Sequence, residues 1–364
     1  MLDGPLILAT VAQRFRLTGA PGLHVEPHPI LTLRPRHGVR MTLTARAAEP
    51  ARSGGARAVW RFAGRPGIRA FMPNVTANGI TIEYEEFGDR NGRPLLLIMG
   101  LGAQMILWPE ELCERFAARG YRVIRFDNRD VGKSTWFDHL GSPDVMGVIT
   151  ATLARQPVTA PYLLRDMAAD AVGLLDALHI DRADIVGASM GGMIAQTLAI
   201  ESAPRVRTFT SIMSSTGSLD QPPGNPEVLA VMMAPPPTTR ADSIERAVTV
   251  FRTISSPGFP FDEQLIRQRA ERAYDRGFNP AGTLRQLVAV LASGDRTEAL
   301  RSVQVPALVI HGKSDPLVPF AAGQATAAAV PGAEMLAIDG MGHDMPRALW
   351  PQLVDAIGAL TARA

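Results

Sequence analysis

The chain has 364 residues, enough for one large domain or two ordinary ones, and its 46% hydrophobic and 20% charged content excludes a disordered chain. The net charge of +2 conceals two parts: residues 1–71 carry eleven Arg, no Lys and three acids, whereas the remainder is net acidic. A single cysteine, Cys113, excludes an internal disulfide and any multi-cysteine metal site, and it fits a reducing cytoplasm.

The opening MLDGPLILATVAQRF contains an apolar run, but an acid precedes it and no small-residue cleavage site follows, so it does not read as a signal peptide. TLRPRHGVRMTLTAR (32–46) is basic and alternates like a pair of strands. Residues 1–47 thus form an N-terminal extension, and 48–72, without any period, read as a linker. Regular patterning starts at Asn74. NVTANGITIEYEEFG alternates around Asn78-Gly79, a hairpin signal. PLLLIM (94–99) is a continuous apolar run, as for a strand covered on both faces. A helix at about 107–119, a strand at 121–127, a helix at 162–180, a strand at 183–189, a helix from Met190 and a strand at 206–214 follow. Helices alternating with buried strands predict a mostly parallel, doubly wound α/β sheet for residues 73–364.

The alternation stops at about 216–300, where QPPGNP, APPPTT and SPGFPF separate amphipathic helices. In one of these Ile244, Val248, Phe251 and Ile254 recur at helical spacing. An insertion of this kind is expected to cap one end of the sheet. Strand, helix, strand and helix patterns then resume at 305–312, 320–330, 333–339 and from about Pro346.

Gly187-Ala188-Ser189-Met190-Gly191 follows a buried strand and opens a helix, the context that gives G-x-S-x-G its meaning as a nucleophile elbow. Such a turn needs small neighbours, which Gly187, Gly191 and Gly192 supply. The helix start leaves the Met190 amide free to bind a developing oxyanion. A serine hydroxyl needs a base, and the base an orienting acid. Asp315, in HGKSDPLVP, lies after the strand that follows the insertion; His343, in DGMGHDMP, lies after the last strand. Asp220, Asp339 and Asp344 compete for the acid's place, and His311 reads as structural. The second oxyanion donor is expected in Met99-Gly100-Leu101-Gly102, at the Leu101 amide.

GLGAQM also reads as the start of a dinucleotide fingerprint, but Met105 stands where its third glycine belongs. DNRDVGKST (127–135) lacks the glycine spacing of a phosphate loop and is expected to fix turn geometry. Cys113 reads as a core residue, and Met232 and Met233 as packing or an adaptable acyl pocket. No metal-ligand spacing is present, and neither metal nor cofactor is expected.

Together GASMGG, IRFDNRDVGKST, VIHGKSDPLVP and IDGMGHDMP resemble the α/β-hydrolase fold of serine esterases, of the aclacinomycin methylesterase type. That type shares the Met-Gly pair after the first parallel strand and the spacing to a Trp-Pro, here Trp108-Pro109. The resemblance spans about 73–362. It implies Ser189, Asp315 and His343 as a triad, Leu101 and Met190 amides as the oxyanion hole, and hydrolysis of small to medium carboxylic esters through an acyl-enzyme. C–C bond hydrolysis, cofactor-free perhydrolysis (haloperoxidase activity) and acyl transfer use the same triad, and a ligand-binding protein without turnover is a further alternative. MLDGPLILATVAQRFRL with the stretch behind it resembles the C-terminal tail of haem-thiolate cytochrome monooxygenases, a helix beyond the haem-ligating Cys followed by a hairpin. That Cys is missing, so no haem is expected and the extension should be catalytically silent. Its arginines are spread through the N-terminal residues with little aromatic interleaving, so no nucleic acid is expected. No membrane partner is expected either, leaving a small-molecule ester as the partner of a cytoplasmic chain whose oligomeric state the sequence leaves open.

Overall fold

The computed structural model describes residues 15–19, 41–45 and 73–364, so the expected linker at 48–72 lies outside the described residues. The N-terminal strands and the residues from 73 onward belong to two separate units, and each is described by itself.

In the first unit β1 (Phe15–Gly19) and β2 (Met41–Ala45) pair antiparallel, with Arg16 opposite Thr44. Of the strand pair expected within 32–46, residues 32–40 lie outside the described residues. The second half of 32–46 is a strand, but its partner is FRLTG, whose beginning the monooxygenase resemblance placed in a helix. FRLTG and MTLTA both alternate and carry Thr, which favours a pleated strand.

In the second unit β3 (Asn74–Ala77) and β4 (Ile80–Phe87) form the hairpin around Asn78 and Gly79, both at positive φ. β5 (Arg93–Ile98), β6 (Tyr121–Phe126), β7 (Ala183–Ala188), β8 (Val206–Ile212), β9 (Ala307–Gly312) and β10 (Glu334–Ile338) complete an eight-stranded sheet in the order β10-β9-β8-β7-β5-β6-β4-β3. β5 to β10 run parallel, while β4 is antiparallel to β6 and β3 to β4.

The continuous apolar runs are explained by two cores, one on each face. Leu96 and Ile98 pack with the helices Leu164–Ala177 and Met190–Glu201, while Leu95 and Leu97 pack with Glu110–Ala117 and Trp350–Thr361. Each such side chain contributes about 1.5–3 kcal/mol on burial, so the sheet dominates the hydrophobic stabilisation. A short helix, Val145–Leu153, is an addition that the sequence pattern did not single out. Among the described residues no helix is long and apolar enough to cross a membrane.

Between β8 and β9 the chain runs through the helices Pro226–Met233, Arg240–Ile254, Glu263–Arg276, Pro280–Ala292 and Thr297–Leu300. The first four start where the sequence dictates: the side chains of Asn225, Thr239, Asp262 and Asn279 each accept from a backbone amide of the first turn, and Pro226 and Pro280 hold the first helical position. Ile244, Val248 and Ile254 are buried as their spacing predicts. The two ends of the insertion are stitched together. Arg296 donates its amide to the Thr216 carbonyl at 2.9 Å and its guanidinium to the Ser215 and Gly294 carbonyls, both at 3.1 Å.

Candidate active site

Strand order reverses direction about β5: β6 lies on one side of it and β7 on the other. Loops leaving β5 and β7 therefore meet at the strands' C-terminal edge, the place where open α/β sheets gather their ligands. Ser189 stands there, between β7 and the helix Met190–Glu201, with φ +56° and ψ −121°. A non-glycine residue in such a region costs of order 1–3 kcal/mol and persists only where its surroundings enforce it. Here they do. The Ser189 amide donates to the Ile212 carbonyl at 2.9 Å, and the Ser189 carbonyl accepts from Ser214 Oγ at 2.8 Å and from the Gly192 amide at 2.9 Å. A Cβ on Gly187 would stand 2.0 Å from the Gly191 carbonyl oxygen, and one on Gly191 would stand 2.1 Å from that of Ile98. The elbow therefore tolerates no side chain at either position.

His343 Nε2 lies 3.0 Å from Ser189 Oγ, and His343 Nδ1 lies 2.7 Å from Asp315 Oδ2. The other carboxylate oxygen of Asp315 accepts from the Leu317 and Val318 amides, both at 2.9 Å, which fixes the carboxylate plane. Asp315 and His343 are buried, while Ser189 is half-buried and so reachable. The competing acids stand elsewhere. Asp220 pairs with Arg155 at the surface, Asp339 with Lys313, and Asp344 accepts from Ser256. His311 stands against the acid, its Nε2 3.5 Å from Asp315 Oδ2, but spends its hydrogen bond elsewhere. Its Nε2 bonds the Val318 carbonyl at 2.8 Å, and burial holds its pKa below the usual 6.5. Burial likewise pushes the Cys113 thiol up to about 12, so it is unsuited to be a nucleophile.

The loop after β5 closes against the serine: a Cβ on Gly100 would lie 3.1 Å from Ser189 Cβ. Met190 is the first residue of its helix, so its amide has no carbonyl one turn back within the helix to bond. The Leu101 amide makes no hydrogen bond among the described residues. Met190 thus adjoins Ser189 in the chain, and Leu101 follows the glycine that packs against it. Asp127 and Asn128 hold this loop from below, Asp127 Oδ1 accepting from the Met105 amide at 2.8 Å and Asn128 Nδ2 donating to the Met99 carbonyl at 3.0 Å. DNRDVGKST therefore acts as a brace, with Asp127 also accepting from the Lys133 amide.

Sequence reasoning missed the residues that reach this site from the insertion. Arg276 bonds Asp127 and Gln104, and Gln104 donates to the Ala273 and Gly277 carbonyls. Arg285 and Asp130 form a fully buried ion pair that also takes a bond from the Tyr162 hydroxyl at 2.7 Å. Burial alone would raise the Asp130 carboxyl, but Arg285 holds it below the usual carboxylate range. Gln286 accepts from the Gly102 amide. The segment 254–258 clasps the His343 loop: the His343 amide donates to the Ile254 carbonyl at 2.8 Å, and the Gly258 amide to the Gly340 carbonyl at 2.9 Å. Ser256 Oγ accepts from the Gly342 amide at 2.8 Å and donates to Asp344. The one signal in the sequence was polar residues on the inward face of amphipathic helices, and that pattern does not name partners. Met233 is exposed and Met232 half-buried. Among the described residues no three His, Cys, Asp or Glu side chains gather in a metal-binding group.

Comparison with known proteins places this geometry in context. A family model described as alpha/beta hydrolase fold matches residues 93–346. The chain is 30% identical to rhodomycin D methylesterase from Streptomyces peucetius and 29% identical to the enzyme of that name from Streptomyces sp. strain C5, in each case over 80% of this chain and 98% of the relative. Among solved structures it resembles an esterase from Exiguobacterium antarcticum, with a TM-score of 0.63, 22% identity, and coverage of 80% of this chain and all of that one. At that identity the structural likeness shows the fold alone.

Proposed function

The chain belongs to the alpha/beta hydrolase fold family, and from that premise we propose that it is a serine carboxylesterase acting on small to medium carboxylic esters, methyl esters among them. One observation carries the reading: Ser189, His343 and Asp315 form a continuous chain of hydrogen bonds, with the serine at a strained elbow. The two methylesterase relatives support ester hydrolysis and suggest a small alcohol as leaving group.

Asp315 accepts from His343 Nδ1–H, which leaves Nε2 unprotonated and facing Ser189 Oγ. As Oγ attacks the ester carbonyl carbon, Nε2 takes its proton and Asp315 stabilises the imidazolium. The carbonyl oxygen becomes an oxyanion between the Leu101 and Met190 amides, donors of a kind whose loss costs about 10²–10³-fold in rate. His343 then protonates the departing alcohol, leaving an acyl group on Ser189. Water attacks that ester with His343 again as base, the acid departs, and the proton returns to Ser189 Oγ. Gly187 and Gly191 are the elbow glycines of this site, and the helical insertion is its cap.

A fluorophosphonate should label the wild type at Ser189. Ser189→Ala should lose the label and at least about 10³-fold of p-nitrophenyl ester turnover, with unchanged thermal stability. A wild type that is neither labelled nor active on esters would overturn the assignment. Turnover of diketones, or of peroxide with a carboxylic acid, in preference to esters would move the same triad to the C–C hydrolase or perhydrolase alternatives.

A further inference from the structure

Gln286, on the helix Pro280–Ala292, is fully buried and uses both ends of its amide. Its Oε1 accepts from the Gly102 amide at 2.8 Å and its Nε2 donates to the Arg129 carbonyl at 2.7 Å. Arg129 belongs to the brace below the loop, so a single side chain of the insertion spans the brace and the loop. Its neighbour Arg285 anchors the same helix turn to Asp130.

The bonded amide has a particular place in the chain. Residues 100–103 form a turn, closed by the Ala103 amide donating to the Gly100 carbonyl at 3.2 Å. Gly102 is its third residue at φ +65°, the sign that a type II turn requires there. Two peptide planes flank Leu101. The plane carrying the Leu101 amide is held by the bond that closes the turn. The plane between Leu101 and Gly102 is the central one, which can rotate between turn types, and Gln286 is what holds it. The insertion also abuts this residue directly, since a Cβ on Gly102 would lie 2.8 Å from both Thr283 Oγ1 and Cγ2.

We infer that Gln286 is a positioning residue: by holding the Leu101–Gly102 peptide it keeps the 100–103 turn in its conformation, and the turn's closing bond then fixes the plane that carries the Leu101 amide, so the insertion completes the oxyanion site. This rests on the serine-hydrolase reading above. It requires that the bond to Gly102, and not the bond to Arg129, carry the effect on rate.

Q286E and Q286M separate the two. Glutamate keeps an acceptor for the Gly102 amide but loses the donor to Arg129, whereas methionine keeps the volume and loses both. With p-nitrophenyl acetate, Q286M should lose about 10- to 100-fold in kcat with KM within about threefold, less than the full loss of an oxyanion donor. Inhibition by phenylboronic acid, whose tetrahedral adduct places an oxygen where the oxyanion forms, should weaken by a similar factor. Q286E should keep kcat within about tenfold of wild type and above Q286M. Wild-type kcat and boronate affinity in Q286M would overturn the inference, as would equal losses of kcat in the two variants. Should Q286M not fold, Q286E decides alone, a loss beyond tenfold overturning it. An inactive, unlabelled wild type would instead sink the serine-hydrolase reading itself.

Discussion

The sheet and one helix of the insertion, Glu263–Arg276, are held by different forces. In β5 the residues Leu95 to Ile98 are fully buried, and the helix Met190–Glu201 that follows Ser189 is buried along nearly its whole length. The insertion helix Glu263–Arg276 has no buried residue at all, and polar bonds seat it: Arg272 to Glu110 at 2.6 Å, Arg276 to Asp127 at 2.9 Å, and Gln104 to two of its carbonyls. Burial is non-directional and tolerates small shifts. Hydrogen bonds and ion pairs do not, so a few atoms define where this helix sits against the loop after β5 and its brace. Glu110 illustrates the cost and its compensation. Burial alone would raise its pKa, yet Arg125 and Arg272 bring it down to about 2.

If that contrast is right, the largest effect on stability comes from the buried ion pair. Arg285→Met leaves the Asp130 carboxylate buried without its cation and should cost about 3–5 kcal/mol, read from urea unfolding. Adding Asp130→Asn should recover part of it. A loss below about 1 kcal/mol would show that apolar contacts seat the helix after all.

A smaller effect is expected where the insertion meets the His343 loop. Ser256→Ala removes the bridge between Asp344 and the Gly342 amide and should cost about 1–2 kcal/mol. Because it loosens the loop carrying His343, kcat should fall about tenfold at nearly constant KM, in keeping with the sensitivity of catalysis to misplacement. Unchanged kcat alongside reduced stability would separate the clasp from catalysis.

The sheet has one polar weakness of its own, and pH exposes it. His311 is neutral in the fold because burial lowers its pKa, so below 6.5 the unfolded chain binds more protons than the folded one. Its contribution is present in full above pH 6.5 and is lost as pH falls from there through the depressed folded value. Tm measured between pH 5 and 8 should decline on the acid side more steeply in wild type than in His311→Asn. Parallel curves would contradict this.

The smallest effect belongs to the outer face of the insertion. Arg267 pairs with Glu245 and Glu263 in the open, where screening and side-chain entropy cancel most of the attraction, so Arg267→Ala should shift Tm by no more than about 2 °C. A large shift would mean that exposed pairs also seat the insertion.

Much of this was legible beforehand because the signals were local. Strand runs report burial through period and length. GASMG declares an elbow through the absence of side chains. The order of Ser189, Asp315 and His343 followed from the strand count, and the structure brings all three together. The strand FRLTG was not foreseen as the partner of MTLTA because the two lie far apart in sequence, and a pairing of that range leaves no local signal.

The sequence by itself therefore determined the sheet, the insertion's place in it and the residues at the strand ends, since each depends on neighbours within a few positions. Only the tertiary structure decided that Arg276, Arg285, Gln286 and Ser256 face the loops around Ser189. A polar side chain carries no mark of its partner, and a bond between residues 102 and 286 exists only once the sheet has brought their two loops to the same edge.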